Sequence, residues 1–175
     1  MKVAYLHGLE SSSRPSSPKI KWLNKNFESV YAPQIDYKKE ENFKTILNEI
    51  KSFNPDLIVG SSMGGYFAYI IGSTLKIKTC LFNPAVHNRS MEPNVDIPNK
   101  RPGNQNSVYM GIKDRVIPGA GIKKYFNESG VGTFQYQTYK GGHRVPYNVF
   151  TSSITETSGI KENKILLYEE FLNRE

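Results

Sequence analysis

The pentapeptide Gly60-Ser61-Ser62-Met63-Gly64 stands between the apolar run Leu57-Ile58-Val59 and a second apolar segment, Tyr66 to Leu75. In that context a Gly-x-Ser-x-Gly sequence fits a sharp strand-to-helix turn whose central residue is held at a strained backbone angle. Both flanking glycines are needed there, because a side chain at either position would strike the neighbouring strand or helix. The frame selects Ser62 rather than Ser61, whose flanks two residues away are Val59 and Met63. Ser62 is therefore a candidate nucleophile, and the chain around it is expected to place a strand end and a helix N-terminus at one sheet edge.

Along the rest of the chain, short apolar runs alternate with amphipathic segments, the pattern of alternating strands and helices. Strands are expected at Val3 to Leu6, Ser29 to Ala32, Asp56 to Gly60, Thr79 to Phe82, Val108 to Ile112 and Phe134 to Tyr139. Pro18 at a first helical position, after Ser17, opens a helix carrying Ile20, Leu23 and Phe27 on one face. Phe43, Ile46, Leu47 and Ile50 keep helical spacing until Asn54-Pro55 stops it. The helix after the elbow is apolar around most of its circumference and is expected to be the most buried. Further helices are expected at Gly119 to Asn127 and Glu162 to Asn173. These elements make an α/β chain with a small, doubly wound, mainly parallel sheet of about six strands and helices on both faces. Pro84 to Ser107, with Pro93, Pro98, Pro102 and Gly103, shows no sustained period and is a candidate reduced lid. Arg144 to Ile160 is a second irregular candidate.

At 175 residues the chain is expected to form one domain, and by surface scaling such a chain buries about 70% of its unfolded surface. The single Cys80 lies in an apolar run, so no disulfide framework exists and a reducing compartment is favoured. Met1 to Gly8 has too short an apolar run for a signal peptide, and no stretch approaches a membrane span. The expected location is cytoplasmic. The balance of 23 Lys and Arg against 16 Asp and Glu gives a net charge of +7, which raises the question of nucleic acid. The basic residues are scattered, however, with Asn99-Lys100-Arg101 the tightest group, and no groove-reading motif accompanies them. Three histidines and one cysteine show no metal-ligand spacing. Neither a metal nor a cofactor is expected.

A serine hydroxyl needs a base within hydrogen-bond reach to become a nucleophile near neutral pH. His143, after a strand-like run and the pair Gly141-Gly142, is the candidate; imidazole can both take and return a proton near pH 7. His7 and His87 are weaker candidates. An acid that orients the base follows by elimination among four aspartates. Asp36 and Asp56 precede the elbow, Asp56 at the wrong end of its strand, and Asp96 lies in the Pro-rich segment. Asp114 ends a strand between the elbow and His143. The resulting chain order, Ser62, Asp114, His143, is that of a known class of strand-elbow hydrolases. Donors for an oxyanion are expected from the backbone N–H of Met63, which starts the elbow helix, and of Leu9, after the turn His7-Gly8.

The runs Tyr5-Leu6-His7-Gly8-Leu9-Glu10-Ser11-Ser12, Val59-Gly60-Ser61-Ser62-Met63-Gly64-Gly65-Tyr66, Asn83-Pro84-Ala85-Val86 and Gly141-Gly142-His143 together resemble the small YqiA-like esterases of the alpha/beta-hydrolase superfamily. The elbow ending in Gly-Gly-Tyr and the Asn-Pro-Ala-Val run are more specific than a generic elbow. The resemblance implies a small alpha/beta-hydrolase fold and a carboxylic-ester hydrolase for short acyl chains, with Ser62 as nucleophile, Asp114 as acid and His143 as base. Here His143 follows Gly142 directly, where family members often carry one more residue.

The expected reaction is hydrolysis of a small-molecule ester or thioester by a serine esterase through an acyl-enzyme. Leu9, Val86, Val116 and Ile117 are the apolar residues nearest the expected site and offer a modest acyl pocket, with Tyr66 flanking the nucleophile; Val116 and Ile117 serve equally well as anchors for the following helix. The rival reading is a catalytically silent fold that binds an acidic partner, since function does not follow from fold. A nucleic-acid binder, whose affinity would fall steeply with salt, ranks below both.

Overall fold

A computed structural model describes residues 1–90, 92–95 and 103–160. In chain order the elements are β1 (Lys2–Leu6), α1 (Pro18–Asn26), β2 (Ser29–Tyr31), α2 (Asn42–Phe53), β3 (Leu57–Ser61), α3 (Met63–Leu75), β4 (Lys78–Phe82), β5 (Gln105–Gly111), α4 (Gly119–Ser129), β6 (Thr133–Tyr139) and α5 (Tyr147–Ser158). The six strands form one sheet in the order β2-β1-β3-β4-β5-β6. Every pairing is parallel. All strands therefore end at the same edge, and the loops that leave it are the ones that can meet.

The two-residue period of the strands sorts their side chains between two cores. Ala4, Leu6, Ile58, Leu81, Val108 and Met110 face α2, α3 and α4, where they pack with Phe43, Ile50, Phe67, Ile70 and Phe126. Val3, Tyr5, Leu57, Val59, Cys80, Phe82 and Tyr109 face α1 and α5 and meet Ile20, Leu23, Phe150 and Ile154. Burial on both sides explains why β3 reads as a continuous apolar run. It also explains α3, in which every residue from Met63 to Ser73 is buried. Cys80 is fully buried and unpaired, and burial pushes its thiol up to about 12.

Two expectations change. The segment 144–160 is not irregular: it holds α5, entered after Pro146 and closed by Gly159 in the left-handed region at φ 73°. Its Ser, Thr and Val residues have weak helix propensity. Tertiary packing overrides this, because Phe150 and Ile154, one turn apart, drive the helix into the second core; the Phe150 ring stacks on Phe82 at 5.5 Å and meets Tyr5 edge-on at 5.5 Å. The segment 84–107 is also narrower as a lid candidate. Ala85 and Val86 at its start are buried, and β5 already begins at Gln105. Residues 91 and 96–102 of it, with Asp96, Lys100 and Arg101, lie outside the described residues, as does the helix expected at Glu162 to Asn173. Among the described residues, no helix is long and apolar enough to cross a membrane.

Candidate active site

Ser62 sits between β3 and α3 at φ 53° and ψ −118°. Such a conformation costs a non-glycine residue about 1–3 kcal/mol and persists only where the surroundings over-determine it. The flanking glycines show what those surroundings are. A Cβ on Gly60 would stand 2.3 Å from the Gly64 carbonyl oxygen, and one on Gly64 would stand 2.2 Å from the Leu6 carbonyl oxygen. The turn therefore lets α3 start directly against β1 and β3. Ser62 is tied further by its own backbone, its N–H donating to the Phe82 carbonyl at 2.9 Å and its carbonyl accepting from Ala85 N–H at 3.0 Å.

The loops after β5 and β6 bring the other two candidates to the same edge. Ser62 Oγ lies 3.0 Å from His143 Nε2, and His143 Nδ1 lies 2.8 Å from Asp114 Oδ2. Direct succession of Gly142 and His143 thus leaves the imidazole within reach of both partners. The Asp114 side chain is fully buried while that of His143 is 26% exposed. The second carboxylate oxygen of Asp114 accepts from the N–H groups of Val116 at 2.8 Å and Ile117 at 2.9 Å. One oxygen is thereby committed to the backbone and the other to the imidazole. With Nδ1–H donating to Asp114, Nε2 is left as an acceptor facing the Ser62 hydroxyl.

On the other side of Ser62 stands the loop after β1. A Cβ on Gly8 would lie 3.3 Å from Ser62 Cβ, so the chain passes close to the serine just before Leu9. Met63 is the first residue of α3, and N–H groups in a first helical turn have no acceptor within the helix. Leu9 also lines a cavity of about 410 Å³ with Glu10, Lys38 and Ser90. Of the remaining residues singled out from sequence, Tyr66, Val86 and Ile117 are buried in the first core, with Leu9 packed against it, whereas Val116 is 53% exposed.

Two residues around the site have roles that local sequence did not disclose. Arg89 lays its guanidinium 4.3 Å from the Tyr66 ring centre while donating to the Ala85 and Val86 carbonyls and pairing with Glu92. Nothing in the surrounding irregular segment marks it. His7 is fully buried and its ring is spent on structure: Nδ1–H donates to the Gly8 carbonyl at 2.7 Å, and Nε2 accepts from Ile35 N–H at 2.9 Å. The Tyr37 hydroxyl donates to the His7 carbonyl. His7 thus braces the turn leading to Leu9 and has no nitrogen left for proton transfer.

This arrangement requires a neutral His7 ring, because a proton on Nε2 would face another donor. Burial lowers its pKa, and the bond to the Gly8 carbonyl offsets only part of that. In the unfolded chain an imidazole titrates at about 6.5. Below that pH the unfolded chain takes a proton at His7 that the folded chain refuses, so stability rises with pH across this window. The contribution is complete above the unfolded pKa and is lost as pH falls towards the lower folded value. Thermal melts from about pH 7.5 down to about pH 5 are expected to show a falling Tm, with a shallower slope for His7→Gln. Equal acid slopes in the two proteins would contradict this account.

The model of a family described as an uncharacterised protein family, UPF0227, matches residues 2–123, a span that includes Ser62 and Asp114 and stops before His143. No curated protein sequence matches the chain. Among solved structures, the chain is similar to a candidate hydrolase of the alpha/beta superfamily from Xanthomonas campestris pv. campestris, with 18% identity over 90% of this chain and 95% of that one and a TM-score of 0.62. It is similar to a monoacylglycerol lipase of Paleococcus ferrophilus at 17% identity over 90% and 93% of the two chains, TM-score 0.65. The type II thioesterase BorB from the borrelidin biosynthetic cluster matches at 12% identity over 89% and 85%, TM-score 0.62. At these identities the likeness is one of fold, and the fold is that of a small alpha/beta hydrolase.

Proposed function

Since the chain belongs to the UPF0227 family, the YqiA-like group that its motifs resemble, we propose that it is a serine esterase hydrolysing short-chain carboxylic esters or thioesters through an acyl-enzyme. The observation that carries this reading is the unbroken hydrogen-bonded line from Ser62 Oγ through both nitrogens of His143 to Asp114, at 3.0 and 2.8 Å. The lipase and thioesterase names of fold neighbours support the reaction class.

In the first half-reaction Ser62 Oγ attacks the acyl carbon as its proton passes to His143 Nε2, and the carbonyl oxygen becomes an oxyanion. The N–H groups of Leu9 and Met63 receive that charge, and each such donor contributes about 2.7–4 kcal/mol to the transition state. Asp114 holds the Nδ1 proton in place and stabilises the imidazolium. Collapse breaks the bond to the alcohol or thiol, which leaves with the proton from Nε2. Water then attacks the acyl-serine, loses its proton to Nε2, and releases the acid while Oγ regains a proton. In this reading Leu9, Val86, Val116 and Ile117 are the apolar residues assigned to the short acyl chain, with Tyr66 flanking the nucleophile.

The test is covalent. Exposure to a fluorophosphonate probe is expected to add one adduct, read by intact mass and mapped by peptide sequencing to Ser62. Absence of any adduct, under conditions that label a control serine hydrolase, would refute the esterase reading and favour the silent fold.

A further inference from the structure

The Asn83-Pro84-Ala85-Val86 run takes no part in the proton transfers above, yet it touches the elbow, the end of β5 and the loop that carries His143. Its backbone bonds the elbow through Ala85 N–H and Ser62 O, and holds β5 through Asn83 N–H and the Tyr109 carbonyl at 2.9 Å. The Asn83 side chain reaches further. Its Oδ1 accepts from Gly111 N–H at 2.8 Å, at the end of the strand that leads to Asp114. Its Nδ2 donates to the Tyr139 hydroxyl at 2.6 Å and to the His143 carbonyl at 3.0 Å, with the Gly142 carbonyl at 3.4 Å. Tyr139 in turn donates its hydroxyl proton to the Gly142 carbonyl at 3.1 Å.

We propose that Asn83 is a positioning residue that locks the loop of the base, His143, to the strand of the acid, Asp114; the inference rests on the serine esterase reading. The need for such a lock comes from the sequence of the base loop. Gly141 and Gly142 immediately precede His143, and two consecutive glycines leave the backbone freer than any other pair. The loop leaves β6, an edge strand with one neighbour, and His143 itself is only partly covered. Main-chain bonds from Ile112 to Tyr139 and from Lys113 to Gly141 stop short of the histidine. The Asn83 amide supplies the missing anchor by gripping the carbonyl of His143 itself, which fixes the direction in which its ring departs.

Only asparagine satisfies all the demands of this position. The residue is 1% exposed, so both ends of its side chain need partners. One end must accept from an N–H and the other must donate to carbonyls; a carboxylate would present oxygen to the His143 carbonyl, and glutamine is a methylene too long. The backbone stands at φ 43°, a region that asparagine tolerates better than most side chains. The hydrogen bonds of the Asn83 side chain go to the Tyr139 hydroxyl, the Gly142 and His143 carbonyls and the Gly111 N–H, and none to Ser62 Oγ or the imidazole, so it acts through the loop.

The experiment compares Asn83→Ala with the native chain, using p-nitrophenyl acetate turnover, fluorophosphonate labelling rate and Tm. A misplacement of the base by about 1 Å costs on the order of 100-fold, so kcat and labelling rate are expected to fall by about that factor while KM changes by less than about threefold. A second arm places Asn83→Ala on a His143→Ala background, where the change is expected to cost no further labelling rate, because residues that act as a unit are not additive. Should Asn83→Ala fail to fold, Tyr139→Phe carries the test: it keeps the ring, removes one link, and is expected to lower kcat by about fivefold with KM unchanged. Native-like kcat in whichever variant folds, or equal losses with and without His143, would overturn the inference and leave Asn83 a matter of stability. A native chain that takes no fluorophosphonate takes the esterase reading down with it, whereas a labelled native chain with an unaffected variant removes the positioning role alone.

Discussion

Ser62→Ala is expected to lower kcat for a p-nitrophenyl ester by roughly 10⁵- to 10⁶-fold, the scale on which removing a nucleophile from a Ser-His-Asp unit operates. Among the described residues Oγ has one hydrogen-bond partner, His143 Nε2 at 3.0 Å, and alanine removes that bond without altering the Cβ that the turn accommodates. The backbone ties from Ser62 to Phe82 and Ala85 are untouched, so Tm should stay close to that of the native chain. The φ of 53° is equally strained for alanine and serine, which is why no compensating stabilisation is expected. Residual turnover should still exceed that in water, because the N–H groups of Leu9 and Met63 proposed to receive the oxyanion are unchanged. Turnover assayed alongside thermal denaturation decides it. Retention of more than about a tenth of native kcat by a folded Ser62→Ala protein would mean that another group performs the attack, an outcome incompatible with the magnitude above.

The division between what was and was not legible in the sequence follows the range of the interactions. The strands and the first four helices were readable, because apolar periodicity is set by neighbours a few residues apart. The elbow was readable for the same reason: Gly60 and Gly64 report on clashes that the local turn itself creates. Their positions after predicted strands, in the order Ser62, Asp114, His143, brought these residues into consideration together, because a parallel sheet carries successive strand ends to one edge. Long-range demands left no such mark. The helix α5 has an apolar stripe of little more than Phe150 and Ile154, and its turns are stabilised by contacts with Phe82 and Tyr5, remote in sequence. The burial of His7 depends on Ile35, 28 residues away, and the grip of Asn83 on His143 spans 60. The Asn-Pro-Ala-Val run stood out as a motif, but its purpose became visible only when three loops were placed around it.

Asp114→Asn gives the second large effect, and its size follows from which oxygen does what. In the native chain Oδ1 accepts from two backbone N–H groups, Val116 at 2.8 Å and Ile117 at 2.9 Å, while Oδ2 faces His143 Nδ1 at 2.8 Å. An asparagine has one acceptor and one donor end and must choose. Turning its NH₂ towards Val116 and Ile117 would set donors against donors in a fully buried position, at a cost of about 1–3 kcal/mol for each unsatisfied group. The amide oxygen therefore takes the backbone side and the NH₂ points at Nδ1. That nitrogen can then only accept, so the imidazole carries its proton on Nε2 and presents a donor to Ser62 Oγ. The base is disabled by tautomer while every heavy atom keeps its place. A fall in kcat of about 10⁴-fold is the measured consequence of this substitution in the Ser-His-Asp template, and the same scale is expected here, with Tm nearly preserved. A neutral variant within about tenfold of native activity would show that Asp114 does not set the tautomer, and another acceptor for Nδ1 would have to be sought.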